Sequence, residues 1–159
     1  MEIKGSDCMK IVFGGAFNPV TNAHMKVYQF LTKKYSNASF IFLPVSSAYT
    51  KSDLASNYHR VNMLELAVKD LPKATISNLE IDDSDFKGTY QSLIRLSDKY
   101  EEEIYFVVGA DNLETIDKWI NAPGIVSEFK IIVLGRDNID VDKIISEKPL
   151  LQEFSENII

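Results

Sequence analysis

Strand-length apolar runs alternate along this chain with stretches in which apolar positions recur every three or four residues. Lys10 to Phe13, Ser39 to Leu43, Thr75 to Asn78, Ile104 to Val108 and Lys130 to Leu134 read as strands. Between them, Ala23 to Lys34 places Met25, Val27, Tyr28 and Leu31 on one face of a helix. Tyr58 to Leu71 does the same with Val61, Met63, Leu64, Leu66 and Ala67, and Tyr90 to Tyr100 with Leu93, Ile94 and Leu96. Met63, Leu64 and Leu66 are expected in the core. Repeated strand-helix-strand order with short links predicts right-handed crossovers and an α/β fold: a doubly wound, Rossmann-like, mostly parallel sheet of five to six strands with helices on both faces. In such a sheet, ligands bind beyond the carboxyl ends of the strands.

Punctuation residues set the boundaries. Ser56 or Asn57 suits the cap of the second helix, and Pro123, after Asn121-Ala122, suits the first turn of a short helix through Phe129. Val141 to Ser146 is expected to form a turn or two of helix that Pro149 breaks, and Phe154 to Ile159 reads as a last strand.

Composition adds bounds rather than detail. The 159 residues, 45% of them hydrophobic, suffice for one sizeable core, so a single domain over residues 9–159 is expected behind a loose leader of residues 1–8. No apolar run approaches the roughly 18 residues of a membrane helix, and the first ten residues lack the apolar core of a secretory signal. A lone cysteine, Cys8, cannot form an internal disulfide, which points to the reducing cytoplasm. The formal charge of −6 argues against nucleic-acid binding, which calls for a basic face. Small anionic substrates need only a helix N-terminus and one or two cations, which an acidic protein can supply.

Candidate chemistry concentrates at Ile11 to His24. An apolar strand enters Gly14-Gly15, then Ala16-Phe17-Asn18-Pro19, then a polar Thr21-Asn22-Ala23-His24 that opens a helix. Two glycines admit a ligand close to the backbone, and the helix directs free N–H groups and the positive end of its dipole at the same place. Strand, glycine pair, Phe-Asn-Pro and Thr-x-x-His occur together at one spacing, which is far more specific than a lone histidine or a lone glycine pair.

This run resembles the signature of the nucleotidyltransferases whose motif reads His or Thr, any residue, Gly, His, after a Gly-x-Phe-Asn-Pro type of turn. Ala23 stands here in place of the motif glycine. The resemblance implies that His24 stabilises charge growing at the α-phosphate, that Thr21 donates its hydroxyl to phosphate, and that Gly14, Gly15, Ala16 and Phe17 line the nucleotide. Other segments are most similar to the nicotinate-nucleotide adenylyltransferase branch. Val107 to Trp119, with Gly109-Ala110-Asp111 and a tryptophan eight residues after the aspartate, resembles a block in which the Asp region lines the nucleotide and the tryptophan packs by the pyridine ring. Read on their own, Trp119 is equally a core anchor and Asp111 a helix cap. Gly88-Thr89-Tyr90 resembles a helix start that contacts the pyridine nucleotide, with Thr89 a cap, a contact, or both. Lys51 is either a solvated charge or a phosphate ligand, Arg60 is read as a loop anchor, and Arg136 holds either phosphate or an ion pair.

The implied substrates are ATP, carrying Mg²⁺, and a pyridine mononucleotide. No protein-held metal is expected, since His24 and His59 are too few and too separated for a cage. The resemblance leaves a homo-oligomer open. A phosphopantetheine or other small-phosphate nucleotidyltransferase is the neighbouring alternative, although the basic middle segment expected of the phosphopantetheine branch is missing. A non-catalytic nucleotide-binding regulatory module is the alternative of another class, because the family's closing Ile-Ser-Ser-Thr-x-x-Arg segment has no counterpart in these residues.

Overall fold

The computed structural model describes residues 9–15, 17, 21–36, 38–44, 57–77, 88–100, 102–135 and 139–159. They fall into two compact units, one through residue 86 and the other from residue 87 onward.

The first unit contains β1 (Met9–Gly15), α1 (Asn22–Lys34), β2 (Ser39–Pro44), α2 (Asn57–Val68) and β3 (Ala74–Ile76). β2 lies between β1 and β3, parallel to both, with Ile11 opposite Phe40 and Ile41 opposite Thr75. Phe40, Ile41, Phe42 and Leu43 are all buried. That continuous apolar run is what a parallel strand covered on both faces requires. α1 buries Tyr28 and Leu31 and ends in Lys33 and Lys34, cations placed at the negative end of its dipole. The Tyr28 ring meets Phe40 edge-on at 5.3 Å, and its hydroxyl donates to the Pro72 carbonyl. One side chain thus ties α1 to β2 and to the turn before β3.

α2 corrects one expectation. Its buried stripe is Arg60, Leu64 and Val68, four residues apart, while Met63 is 46% and Leu66 69% exposed. A helix buries residues i, i+4 and i+8 on one face. With Arg60 and Leu64 setting that face, Met63 and Leu66 turn away from it. Arg60 is only 1% exposed, as an anchoring role demands.

The second unit contains α3 (Thr89–Tyr100), β4 (Glu103–Gly109), α4 (Ala110–Leu113), a 3₁₀ turn (Ile116–Lys118), α5 (Ala122–Glu128), β5 (Lys130–Leu134), α6 (Val141–Glu147), α7 (Pro149–Glu153) and a 3₁₀ turn (Ser155–Asn157). β4 and β5 pair in parallel, with Phe106 opposite Ile131. Asn121 caps α5 through its side-chain oxygen, which accepts from the Gly124 amide, and it does so from a left-handed backbone (φ 51°) that asparagine tolerates. Pro123 lies in the first turn, where its missing N–H costs nothing.

The C-terminal expectations need two corrections. Pro149 ends α6 but also opens α7, because proline at a first helical position has its φ already set for the helix. The expected last strand is a 3₁₀ turn followed by a single parallel bridge between Ile158 and Ile131. The Ile159 amide donates to the Ile131 carbonyl at 2.7 Å, and the Val133 amide donates to the Ile159 carbonyl at 3.2 Å. Asn157 fastens the turn, donating to the Val126 carbonyl at 2.9 Å and accepting from Lys130 Nζ at 3.0 Å.

Candidate active site

In the first unit the site is built at the carboxyl end of β1. Gly14 and Gly15 are the last residues of the strand, and α1 starts seven residues after Gly15. Phe17, between them, is 2% exposed and holds φ at 47°. Positive φ in a bulky non-glycine residue is a strained conformation, sustained only where packing fixes it. Here the packing is visible. The Phe17 ring stands edge-on to Phe13 at 5.6 Å, to Phe42 at 5.8 Å and to His24 at 4.9 Å. The buried ring therefore acts as a floor beneath the turn.

A Cβ built on Gly15 would meet the Phe17 ring no closer than 3.6 Å, an ordinary contact. The fold would accept alanine at this position. The absence of a side chain there is thus free to serve a ligand rather than the core.

Thr21 is the N-cap of α1 and His24 occupies the third helical position, where the two close a capping box. Histidine plays the part usually given to Glu or Gln. The Thr21 amide donates to His24 Nδ1 at 2.9 Å, and Thr21 Oγ1 lies 3.1 Å from the same nitrogen. The imidazole is partly buried, with Phe13 at 5.8 Å and Phe17 as its aromatic neighbours. Burial pushes its pKa below the ordinary histidine value.

In the second unit, Gly109 ends β4 and is the N-cap of α4, so Asp111 falls in the first turn of that short helix rather than at its cap. Trp119 follows the first 3₁₀ turn. Its ring is partly buried, edge-on to Phe106 at 6.3 Å, which leaves part of the indole accessible. Thr89 opens α3 as its first helical residue, and Gly88 takes the position before it at φ 108°, a conformation that glycine alone adopts freely. The cap considered for Thr89 therefore belongs to Gly88. Tyr90 is engaged within its own unit: its hydroxyl donates to Glu128 Oε2 at 2.7 Å and its ring meets Phe129 at 6.2 Å. That hydrogen bond to the carboxylate raises the phenol pKa. Sequence reasoning missed the Tyr90–Glu128 link, which no local spacing announces. Ala16, Lys51 and Arg136 lie outside the described residues.

Among the described residues no three or more His, Cys, Asp or Glu side chains converge as a metal cage. None of the described helices is long and apolar enough to cross a membrane.

Comparison with known proteins places this geometry. The profile of cytidylyltransferase-like proteins matches residues 12–157. A protein of Acholeplasma laidlawii described as a probable nicotinate-nucleotide adenylyltransferase is 36% identical over 135 residues, covering 84% of this chain and 71% of that protein. The chain belongs to the cytidylyltransferase-like family, in its nicotinate-nucleotide adenylyltransferase branch. A Clostridium acetobutylicum protein of the same description is 31% identical over 154 residues, covering 94% of this chain and 77% of its own length. The solved Plasmodium falciparum nicotinic acid mononucleotide adenylyltransferase complexed with NaAD superposes with a TM-score of 0.74 at 19% identity, over 89% of this chain and 71% of that one. At that identity the likeness is one of fold, and it establishes the α/β, Rossmann-like class.

Proposed function

We propose that this adenylyltransferase-family chain joins ATP and nicotinate mononucleotide to give nicotinate adenine dinucleotide and pyrophosphate. The observation that carries the reading is a cap-held histidine in the first turn of α1, beside a glycine pair at the carboxyl end of a parallel strand. Relatives 30–36% identical over most of the chain and described as enzymes of this activity support it. So does the fold shared with solved adenylyltransferases complexed with NaAD and with APC.

The reaction needs no protein nucleophile. The 5′-phosphate of the mononucleotide is already ionised near neutral pH; its oxygen attacks the α-phosphorus, and the bond to the pyrophosphate oxygen breaks. The protein's work is to hold two anions in line and to absorb the charge that grows on the phosphates. In this reading Gly14, Gly15, Ala16 and Phe17 shape the turn on which the triphosphate lies, and the first amides of α1 point at it. His24 is the catalytic residue of α1, with Thr21 beside it at the helix cap. Lys51, Gly109, Asp111 and Arg136 belong to the nucleotide site, with Thr89, Tyr90 and Trp119 on the pyridine side, where the accessible part of the Trp119 ring is suited to stacking. Mg²⁺ is the counter-ion that ATP brings and neutralises its phosphates.

The test is coupled pyrophosphate release with MgATP and nicotinate mononucleotide, each also supplied alone. Release that requires both substrates is expected. ATP binding without release under any pairing would instead favour a regulatory nucleotide-binding role.

A further inference from the structure

We infer that Thr21 is a positioning residue, whose backbone amide and hydroxyl together lock His24 in the neutral tautomer that carries its proton on Nε2. The inference rests on the proposed adenylyl transfer for its purpose, but on geometry alone for its content.

A backbone N–H can only donate. The Thr21 amide, 2.9 Å from His24 Nδ1, therefore meets a lone pair, and that nitrogen carries no proton. The Thr21 hydroxyl, 3.1 Å from the same nitrogen, must also present its hydrogen there, which leaves its oxygen lone pairs for the reciprocal arm of the capping box. With Nδ1 doubly solicited as an acceptor, the single proton of a neutral imidazole sits on Nε2. The ring's orientation is fixed as well: Phe17 stands edge-on against it at 4.9 Å, and Phe13 lies against it at 5.8 Å. Neither aromatic neighbour offers a charge that would draw a second proton onto the ring. Burial lowers the pKa in the same sense.

Two consequences follow for the chemistry. His24 offers the phosphates a neutral N–H donor with one fixed direction, so the proton is in place before the reaction starts and need not be gathered from solvent. The hydroxyl of Thr21 is spent on the ring, so its part in turnover is exerted through His24 rather than through its own phosphate contact.

The test is ¹⁵N-histidine NMR on the protein without substrate. Only His24 and His59 contribute, and a His24→Gln variant assigns the signals while keeping a residue that suits the third position of a capping box. At neutral pH His24 is expected to show an unprotonated Nδ1 and a protonated Nε2. A protonated Nδ1, or two protonated nitrogens, would overturn the inference. In parallel, Thr21→Val, which keeps the amide but removes the hydroxyl, should admit a minor Nδ1–H population and lower kcat about tenfold with the Kd for ATP unchanged, as loss of one neutral hydrogen bond implies. Thr21→Ser should restore both. A Thr21→Val protein that weakens ATP binding and leaves the tautomer untouched would make Thr21 a direct phosphate ligand instead. Because the spectrum needs no turnover, an inactive protein with the expected tautomer would reject the adenylyltransferase reading and leave the lock standing.

Discussion

His24 and Gly15 separate chemistry from folding at the scale of single residues. Among the described residues, the contacts of His24 are with its own helix cap and two aromatic rings, so its removal should spare the core. His24→Ala is expected to lower kcat by roughly 10²- to 10³-fold, the range for removing one preorganised donor to developing charge, with little change in ATP binding. Equal losses in kcat and in ATP affinity would mean ordinary substrate binding. Gly15→Ala should fold within about 1 kcal/mol of the parent protein, because the new Cβ meets only ordinary contacts in the fold. On the proposed function it should nonetheless weaken ATP binding, because the methyl would stand where the triphosphate is proposed to approach the backbone. Denaturant unfolding and nucleotide titration read the two halves of that prediction separately.

Between elements, the contact of α3 with α5 decides how the second unit holds its substrate-side residues. Tyr90 on α3 reaches Glu128 at the end of α5, and its ring lies over Gly124, where a Cβ would come within 2.6 Å of Tyr90 and 2.7 Å of the capping Asn121 side chain. Gly124→Ala therefore forces two side chains apart, and a loss of about 1–3 kcal/mol is expected in chemical denaturation. Wild-type stability would show that the helices separate freely. Most of this architecture was legible from hydrophobic pattern: the five strands and three longer helices lie within a few residues of their expected limits, because each alternates or recurs with its own period. Short elements escaped that logic. α4 and the 3₁₀ turn before Trp119 span too few residues to establish a period. The exposed positions of Met63 and Leu66 depend on the rotation of α2 set by Arg60, which pattern counting treats as polar and therefore outward. The tail's single bridge to β5 is a tertiary pairing fastened by Asn157, invisible to local spacing.

Across the whole molecule, the proposed function asks an acidic chain to bind anions locally, through glycine turns and helix starts rather than through net charge. This has a consequence for pH. The folded state resists protonating His24, whereas the unfolded chain protonates it in the ordinary histidine range. As pH falls through that range the unfolded state takes up the proton first, so this group's contribution to stability is intact above it and declines below it. Urea unfolding across roughly pH 5 to 7.5 should show a stability decline that is smaller in His24→Gln. An identical decline in both proteins would assign the effect to other groups. The candidate site of the first unit is read from one contiguous segment, Gly14 to His24, whose strand end and helix cap lie where the pattern puts them. The second unit is less legible, because Gly88 and Tyr90 take their surroundings from residues about 30 to 40 positions away.

The central claim, adenylyl transfer to a pyridine mononucleotide, is tested most directly by identifying the product. MgATP would be offered with nicotinate mononucleotide and, separately, with phosphopantetheine, and the mixtures analysed by mass spectrometry. Nicotinate adenine dinucleotide, formed in step with pyrophosphate and only from the first acceptor, is the predicted result. A dephospho-coenzyme A product, with no dinucleotide, would contradict the account.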